Sequence, residues 1–460
     1  MEIMGVSDNY SLPPGAVKII NMLNEAGFEA YAVGGAVRDM VMGKEPHDFD
    51  ITTSAKPDEI KKVFSGFRCI ETGIRHGTVT VISDSVPYEI TAFRIDGDYS
   101  DRRRPDGVIF TGRLEEDLSR RDFTCNALAF HPVKGITDLF GGAEDIRNKI
   151  IRCVGDPDKR FGEDALRIMR ALRFSSVLGF EIDSETEKSI HKNRELLKFI
   201  SNERIFSELC KLLEGKNAAG VLSAFGDVIF TVMPELEPMK DLDQQNPAHR
   251  YDVWNHTLHA VDNIRPDREL RLAMLFHDSG KPYTKTVDEN GIGHFYGHAE
   301  ISVKIARTIL NNMKASNRLK NHVCTLVENH GLMPEKMSKK TFKKYIGKLG
   351  EDTVRELYEV RKADVTALDS FLTPKFLSEN ERAREIFEQL ISEQKCFTLK
   401  DLAVDGADLI SLGFEPSRSL GEVLRILLDE VLDNKIKNEK EALLSRAGEL
   451  LNEYRNSQDK

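Results

Sequence analysis

The sequence predicts an α+β chain, a mixed α/β head followed by a long all-α remainder. Between Phe28 and Pro132, short β-rich runs alternate with turn residues. From "EDALRIMRALRF" onward the apolar spacing is helical and no convincing strand returns. The last ninety residues read as charged amphipathic helices. The expected division is a head over 1–150, a helical neck over 151–240, a histidine-rich helical body over 241–370 and a helical tail over 371–460.

The head strands are expected in "FEAYAV", "DFDITT", "TVTVIS", "YEITAF" and "CNALAF". "TVTVISDSVPYEITAF" reads as a hairpin turning through Ser83–Pro87. In "EDALRIMRALRF", Glu163 and Asp164 stand where a helix would start, and the helix dipole there favours anions.

Composition narrows the classes. The 460 residues are 40% hydrophobic and 30% charged, which is ordinary globular usage. No apolar run approaches the ~18 residues of a membrane span, and no secretory leader is visible. The six cysteines (Cys69, Cys125, Cys153, Cys210, Cys324, Cys396) show no CxxC pair, which suits free thiols and a cytoplasmic location. A net charge of −10 argues mildly against nucleic acid. Local charge differs: Arg102 to Arg104 form a run, and nine Lys/Arg stand against two acids between Lys314 and Lys348. The second cluster reads as a solvated face.

Within "YAVGGAVRDMVMGKEPHDFDIT", Asp48 and Asp50 would share one face of a strand while Phe49 enters the core. Convergent carboxylates are the hard oxygen ligands that Mg²⁺ prefers. Gly34 and Gly35 allow backbone N–H groups to approach a triphosphate, and Arg38 can add a guanidinium. The competing reading makes Asp48 and Asp50 a turn and a strand end, with Gly-Gly a plain connector. No G-x-G-x-x-G or P-loop string occurs.

"VGGAVRD…HDFDITT", "RRDFTCNALAF" and "FGEDALRIMRALRF" occur in that order, over roughly residues 15 to 240. Together they resemble the class II tRNA nucleotidyltransferase and bacterial poly(A) polymerase family. The resemblance implies a nucleotidyltransferase-type head, a neck that selects the base, and a body and tail that hold tRNA. The activity implied is template-independent addition of C, C and A to the tRNA 3′ end, from CTP and ATP. By resemblance, Asp48 and Asp50 would be the catalytic Mg²⁺ ligands, and Gly35, Arg38 and Arg121 would contact the triphosphate. Asp122 and Asn126 resemble positions that sense the ribose 2′-hydroxyl. Glu89 is either a third catalytic carboxylate or an exposed strand acid.

In the neck motif Asp164, Arg167, Arg170 and Arg173 recur every three residues, a slow spiral around a helix. An amphipathic helix with an i,i+3 Asp–Arg pair is the bland account, strained by three arginines without matching acids on the next turns. Base-edge chemistry suits the alternative. Cytosine and adenine each present an amino donor beside a ring-nitrogen acceptor, which Asp164 and Arg167 would complement.

His256, His277-Asp278, His298, His330 and Asp364 resemble an HD-type metal phosphohydrolase site, suited to Mn²⁺, Ni²⁺, Fe²⁺ or Zn²⁺. Single histidines are commonly core or surface residues, and His259 and His294 read as non-ligands. The alternatives carried are an HD-type phosphohydrolase with a vestigial head, a poly(A) polymerase, and a CC-only or A-only enzyme. The segment "DGDYSDRRRPDGVIFTGRLEEDLSRRDFT" bears on the last, because a flexible loop there accompanies final A addition in this family. The partners expected are tRNA, CTP and ATP, with no membrane, for a monomer or homodimer.

Overall fold

The structure, a computed structural model, describes residues 2–4, 11–46, 48–71, 73–74, 77–97, 107–332, 339–393, 396–417 and 419–458. Arg102–Arg104 and Lys336 lie outside the described residues. The chain clusters into two compact units. One comprises Met1–Glu237 with Pro266–Arg268 and Thr308–Ser316; the other comprises Pro238–Arg265, Glu269–Arg307 and Asn317–Lys460.

The first unit is built on a mixed sheet. Its strands are β1 (Glu2–Met4), β2 (Ala30–Val33), β3 (Asp50–Thr53), β4 (Arg68–Ile70), β5 (Thr78–Ser83) and β6 (Val86–Ala92). A separate ribbon follows, β7 (Arg94–Asp96) with β8 (Val108–Phe110), and then β9 (Leu128–His131) and β10 (Gly135–Asp138) rejoin the sheet. The spatial order is β1-β10-β9-β2-β3-β6-β5-β4. β2 is buried along its whole length, as a central strand should be. β3 runs antiparallel to β2, with Val33 opposite Asp50, and parallel to β6, with Asp50 opposite Glu89.

The β5–β6 hairpin turns on Asp84 and Ser85, with φ +52° and +67°. That two-residue turn matches the twist of the strands, although neither residue is glycine. Val86 and Pro87 therefore belong to β6 and not to the turn. Pro87 is tolerated because β3 begins pairing only at Glu89, so no ladder bond is lost.

Helices α1 (Pro14–Glu25), α2 (Gly35–Val41) and α3 (Pro57–Val63) pack on the sheet. The core between them holds Ile19, Ile20, Leu23, Ile51, Ile60, Phe64, Val79 and Ile90, all fully buried. α2 starts directly after β2 because Gly34 takes φ +77° and ψ −136°, a conformation nearly closed to other residues.

α4 (Leu114–Ser119) and α5 (Gly142–Asn148) complete the head. Helical structure then dominates: α6 (Pro157–Glu163), α7 (Leu166–Leu178), α8 (Ser184–Asn193) and α9 (Asn202–Leu213). Two expectations need correction. Short strands do return, since Ile150–Ile151 pairs with Glu181–Ile182 and Thr286–Val287 with Gly293–His294. The neck helix also starts slightly later than expected, after Asp164, and Glu163 belongs to the helix before it. Asp164 adopts φ −135° and ψ 102°, and its carboxylate accepts from the Leu166 N–H at 3.1 Å. Aspartate favours such local capping over helix continuation, so Glu163 ends α6 and α7 begins after Asp164.

The second unit is helical. Val253–Asp262, His298–Asn312, Asn317–Asn329 and Glu351–Ala367 carry the histidine-rich segment, and Thr373–Glu393, Ser419–Leu432 and Lys440–Gln458 form the tail. Leu409, Val423, Leu427, Leu443 and Ala447 bury the tail's own apolar cluster. The lysine-rich helix Lys339–Leu349 is not simply a solvated face. Lys343 is buried and donates to the Leu432 carbonyl and Asn434, while Lys340 and Lys344 pair with Asp433 and Asp429. Tail acids consume that charge locally.

Candidate active site

β3 delivers Asp50 to the sheet surface, and the loop before it delivers Asp48; both residues are exposed. The strand starts at Asp50, so Phe49 stays half-buried and does not enter the core as expected. Although Asp50 is exposed as a residue, the protein crowded around its carboxyl withholds enough water to lift its pKa above the ordinary value; Arg121 opposes the rise and Asp48 adds to it. A carboxylate pair under mutual repulsion, built of hard oxygen donors, fits a divalent cation. Glu89 stands beside Asp50 in register and is exposed. Among the described residues, the sets of three ligand atoms within 4.8 Å of one another do not include these three carboxylates.

The glycine turn meets two arginines. A Cβ on Gly34 would stand 3.1 Å from Arg121 Nη1, and one on Gly35 would stand 3.6 Å from Arg38 Nη2. Bare backbone and two guanidiniums therefore share one space, the arrangement that receives phosphate oxygens. Arg38 is buried and anchored: Nε and Nη2 donate to Asp39 Oδ1, and Nη1 donates to Asn126 Oδ1 at 2.9 Å.

From Asn126 the network continues into the neck. Asn126 Nδ2 donates to Asp122 Oδ1 at 3.2 Å, and Arg170 Nε donates to Asp122 Oδ2 at 2.8 Å. Arg38, Arg170 and Arg173 surround one ring, Phe174, at 5.3, 5.4 and 4.1 Å from its centroid. The head motifs and α7 thus form one polar cluster.

Each neck arginine has an acid, contrary to the sequence expectation. Arg167 pairs with Glu163 at 2.7 Å, Arg170 with Asp122, and Arg173 with Glu208 at 2.7 Å. The i,i+3 Asp164–Arg167 pair of the bland account is replaced, because the helix break turns Asp164 toward Arg204 at 3.1 Å. Arg167 Nη1 and Nη2 also donate to the Arg160 and Arg120 carbonyls. Arg204, Glu208, Asp39 and Phe174 escaped the sequence reading. Arg204 and Glu208 lie on α9, far along the chain, and carried no local signal.

The second constellation lies wholly in the second unit. His256 Nε2 and His277 Nε2 lie 3.5 and 3.3 Å from Asp278 Oδ2, and His298 Nε2 lies 3.5 Å from Asp278 Oδ1. His298 and His330 approach Nε2 to Nε2 at 3.1 Å, and Asp364 Oδ1 lies 2.9 Å from His256 Nε2. All four histidines place Nδ1 on a backbone carbonyl: Ala367, Met274, Phe295 and Val327 respectively for His256, His277, His298 and His330. With Nδ1 held by a carbonyl, each Nε2 faces the common centre, the usual support for a metal-binding imidazole, and a bound cation would take the place of the proton that Asp278 and Asp364 hold on His277. Asp278 Oδ2 is buried against Lys281 Nζ at 2.6 Å and His277 Nε2 at 3.3 Å. The donor set fits a transition metal.

Burial would lower the His277 pKa, but Asp278 and Asp364 raise it to about 10, while burial and neighbouring imidazoles take His330 down to about 4. A cavity of about 520 Å³ opens on this cluster, lined among others by Lys281, Phe295, Tyr296 and Arg361. His259 stacks on Tyr251, and His294, on the cavity wall, pairs with Asp288 and is not among the clustered ligand groups. Lys281, 2.6 Å from Asp278, and His249 were missed, although "HDSGKP" contains the lysine.

Residues 30–152 match the Poly A polymerase head domain, and residues 287–447 match a tRNA nucleotidyltransferase domain 2 model. A CCA-adding enzyme of Ligilactobacillus salivarius is 35% identical over 441 residues, covering 95% of this chain and 96% of that relative. One from Lactobacillus helveticus is 50% identical over 237 residues, 51% of this chain and 59% of that relative. The crystal structure of a Bacillus stearothermophilus CCA-adding enzyme in complex with CTP is similar at a TM-score of 0.69 and 30% identity. It spans 97% of this chain and 100% of that one.

Asp122 generates a pH prediction. Burial alone would raise its pKa, but Arg170, with Asn126 and Arg167, holds it at about 2. A folded value below the unfolded one contributes stability above the unfolded value of 3.8, and that contribution is lost as pH falls toward 2. Asp122→Asn should therefore destabilise the first unit by ~2 kcal/mol near pH 7. In urea unfolding, the gap between wild type and variant should narrow as pH drops from about 5 toward 3. A gap independent of pH would contradict the ion-pair account.

Proposed function

The chain belongs to the family of CCA-adding enzymes, and from that premise we propose how its residues carry out the reaction. The protein is a tRNA nucleotidyltransferase that adds C, C and A to the tRNA 3′ end without a nucleic-acid template. The single observation that carries the residue assignment is the continuity of the polar cluster from the glycine turn, through Arg38, Asn126 and Asp122, to Arg170 on α7. Such continuity argues against a vestigial head beside a working phosphohydrolase.

Asp48 and Asp50 would hold Mg²⁺, which when bound activates the attacking 3′-hydroxyl and neutralises the leaving pyrophosphate. Arg121 and Arg38 bind the triphosphate against the Gly34–Gly35 backbone. Asp122 and Asn126 stand where a ribose hydroxyl can be sensed, and Asp122 also fixes Arg170. Glu89, beside Asp50, is the candidate third carboxylate. Asp164 accepts from the exocyclic amino group of C or A, and Arg167 donates to the adjacent ring nitrogen. Anchoring of Asp164 by Arg204, and of Arg167 by Glu163, supports this reading because a template must be rigid. Residues 1–150 would then act as head, 151–240 as neck, and 241–370 and 371–460 as body and tail on tRNA. Free thiols and a tRNA substrate suit a cytoplasmic site of action.

A second reading is added to the first by the histidine cluster. His256, His277, Asp278, His298, His330 and Asp364 would hold a transition metal and support phosphohydrolysis in their cavity. The four Nδ1–carbonyl contacts support it.

Asp48→Ala or Asp50→Ala should lower nucleotide addition by ~10³-fold or more, with tRNA binding retained, because several kcal/mol of charge stabilisation is lost. Primer-extension rates within tenfold of wild type would remove the assignment. Asp164→Ala or Arg167→Ala should raise UTP and GTP use relative to CTP and ATP by about 10- to 100-fold in kcat/KM ratio, since each unpaired polar group costs ~1–3 kcal/mol. Unchanged ratios would place base reading elsewhere. For the second centre, His277→Ala and Asp278→Ala should abolish copurifying or added Mn²⁺, Ni²⁺, Fe²⁺ or Zn²⁺ binding, measured by elemental analysis, while CCA addition persists. Metal content equal to wild type in both variants would refute the site.

A further inference from the structure

We propose that Asp117 is a positioning residue for nucleotide binding, a buried carboxylate that ties the Asp50 strand to Arg121 and steers that guanidinium toward the Gly34–Gly35 backbone without capturing it. The inference rests on the reading that Arg121 contacts the triphosphate. Asp117 lies on α4, three residues before Arg120, and is completely buried. Its Oδ1 accepts from Arg120 Nε and Nη2 at 3.0 and 2.8 Å. Its Oδ2 accepts from Thr52 Oγ1 at 3.1 Å. Thr52 sits two residues beyond Asp50 on β3, so the two side chains leave the same face of that strand.

Arg121 is treated differently from Arg120. Its Nη2 lies 3.7 Å from Asp117 Oδ2, beyond hydrogen-bond reach, and its buried Nε has no hydrogen-bond partner. Meanwhile its Nη1 lies beside Gly34. A buried guanidinium normally makes close, charge-assisted bonds to its acid. Here the acid spends its hydrogen bonds on Arg120, Thr52 and the Arg94 backbone N–H, and holds Arg121 at a distance by charge alone. An incoming triphosphate can then take the guanidinium without breaking a hydrogen bond to Asp117. Arg120 acts as the decoy that saturates Asp117, and Thr52 registers the assembly against Asp50.

The test is a double-mutant cycle on the full-length protein, with CTP and ATP binding measured calorimetrically alongside KM. Asp117→Asn should raise Kd and KM for both nucleotides about tenfold in the wild-type background, with tRNA affinity unchanged. In an Arg121→Ala background it should add less than about twofold. Should Asp117→Asn not fold, Thr52→Val removes the hydroxyl that Asp117 Oδ2 shares with the Thr91 carbonyl while keeping strand shape, and a loss of about threefold should likewise vanish without Arg121. Equal losses in both backgrounds, for whichever variant folds, would make Asp117 merely structural and overturn the proposal. If Arg121→Ala itself leaves Kd and KM unchanged, the triphosphate reading of Arg121 fails instead.

Discussion

A carboxylate buried in protein has to be neutralised where it stands, and Asp122 meets that demand by drawing two distant motifs together. Its oxygens take Arg170 from α7 and Asn126 from the turn before β9, and Asn126 in turn takes Arg38 from α2. Removing Arg170 would leave the Asp122 charge without its ion-pair partner in low dielectric, so the neck helix and the head motif depend on each other. The position of the neck helix relative to the glycine turn follows from that requirement. A template made of side chains needs such fixing, because its selectivity is only as sharp as its geometry is constant.

Much of the head was legible in the sequence because β alternation and the glycine turn are local signals. The hairpin and the Asp50–Glu89 neighbourhood could be read from strand runs and their order. The helix start near Glu163 and Asp164 was legible, but Asp164 caps it from outside and Glu163 closes a preceding helix, which the apolar spacing of "EDALRIMRALRF" does not mark. The acids that answer Arg170 and Arg173 lie 48 and 35 positions away, at Asp122 and Glu208, which no helix-spacing argument can find. Lys343 shows the converse failure. Its charge suggested solvent, yet a carbonyl and an amide at the end of a tail helix bury it.

The two constellations use opposite electrostatic strategies. The head leaves its carboxylates exposed on a strand end, in keeping with oxygen ligands that exchange with substrate and keep water. The histidine centre lies largely buried at the floor of a cavity, with each imidazole oriented through a backbone carbonyl. Separate architectures allow separate chemistry, and each unit supplies its own donor set from its own elements.

The central claim is that protein side chains choose the nucleotide and stop after three additions. Product length measured on tRNA ending at the discriminator base tests it most directly, with nucleotides supplied singly and together. The account predicts two additions with CTP alone, none with ATP alone, three with both and then arrest, and little use of UTP or GTP. A lengthening poly(A) tail, or comparable incorporation of all four nucleotides, would contradict it.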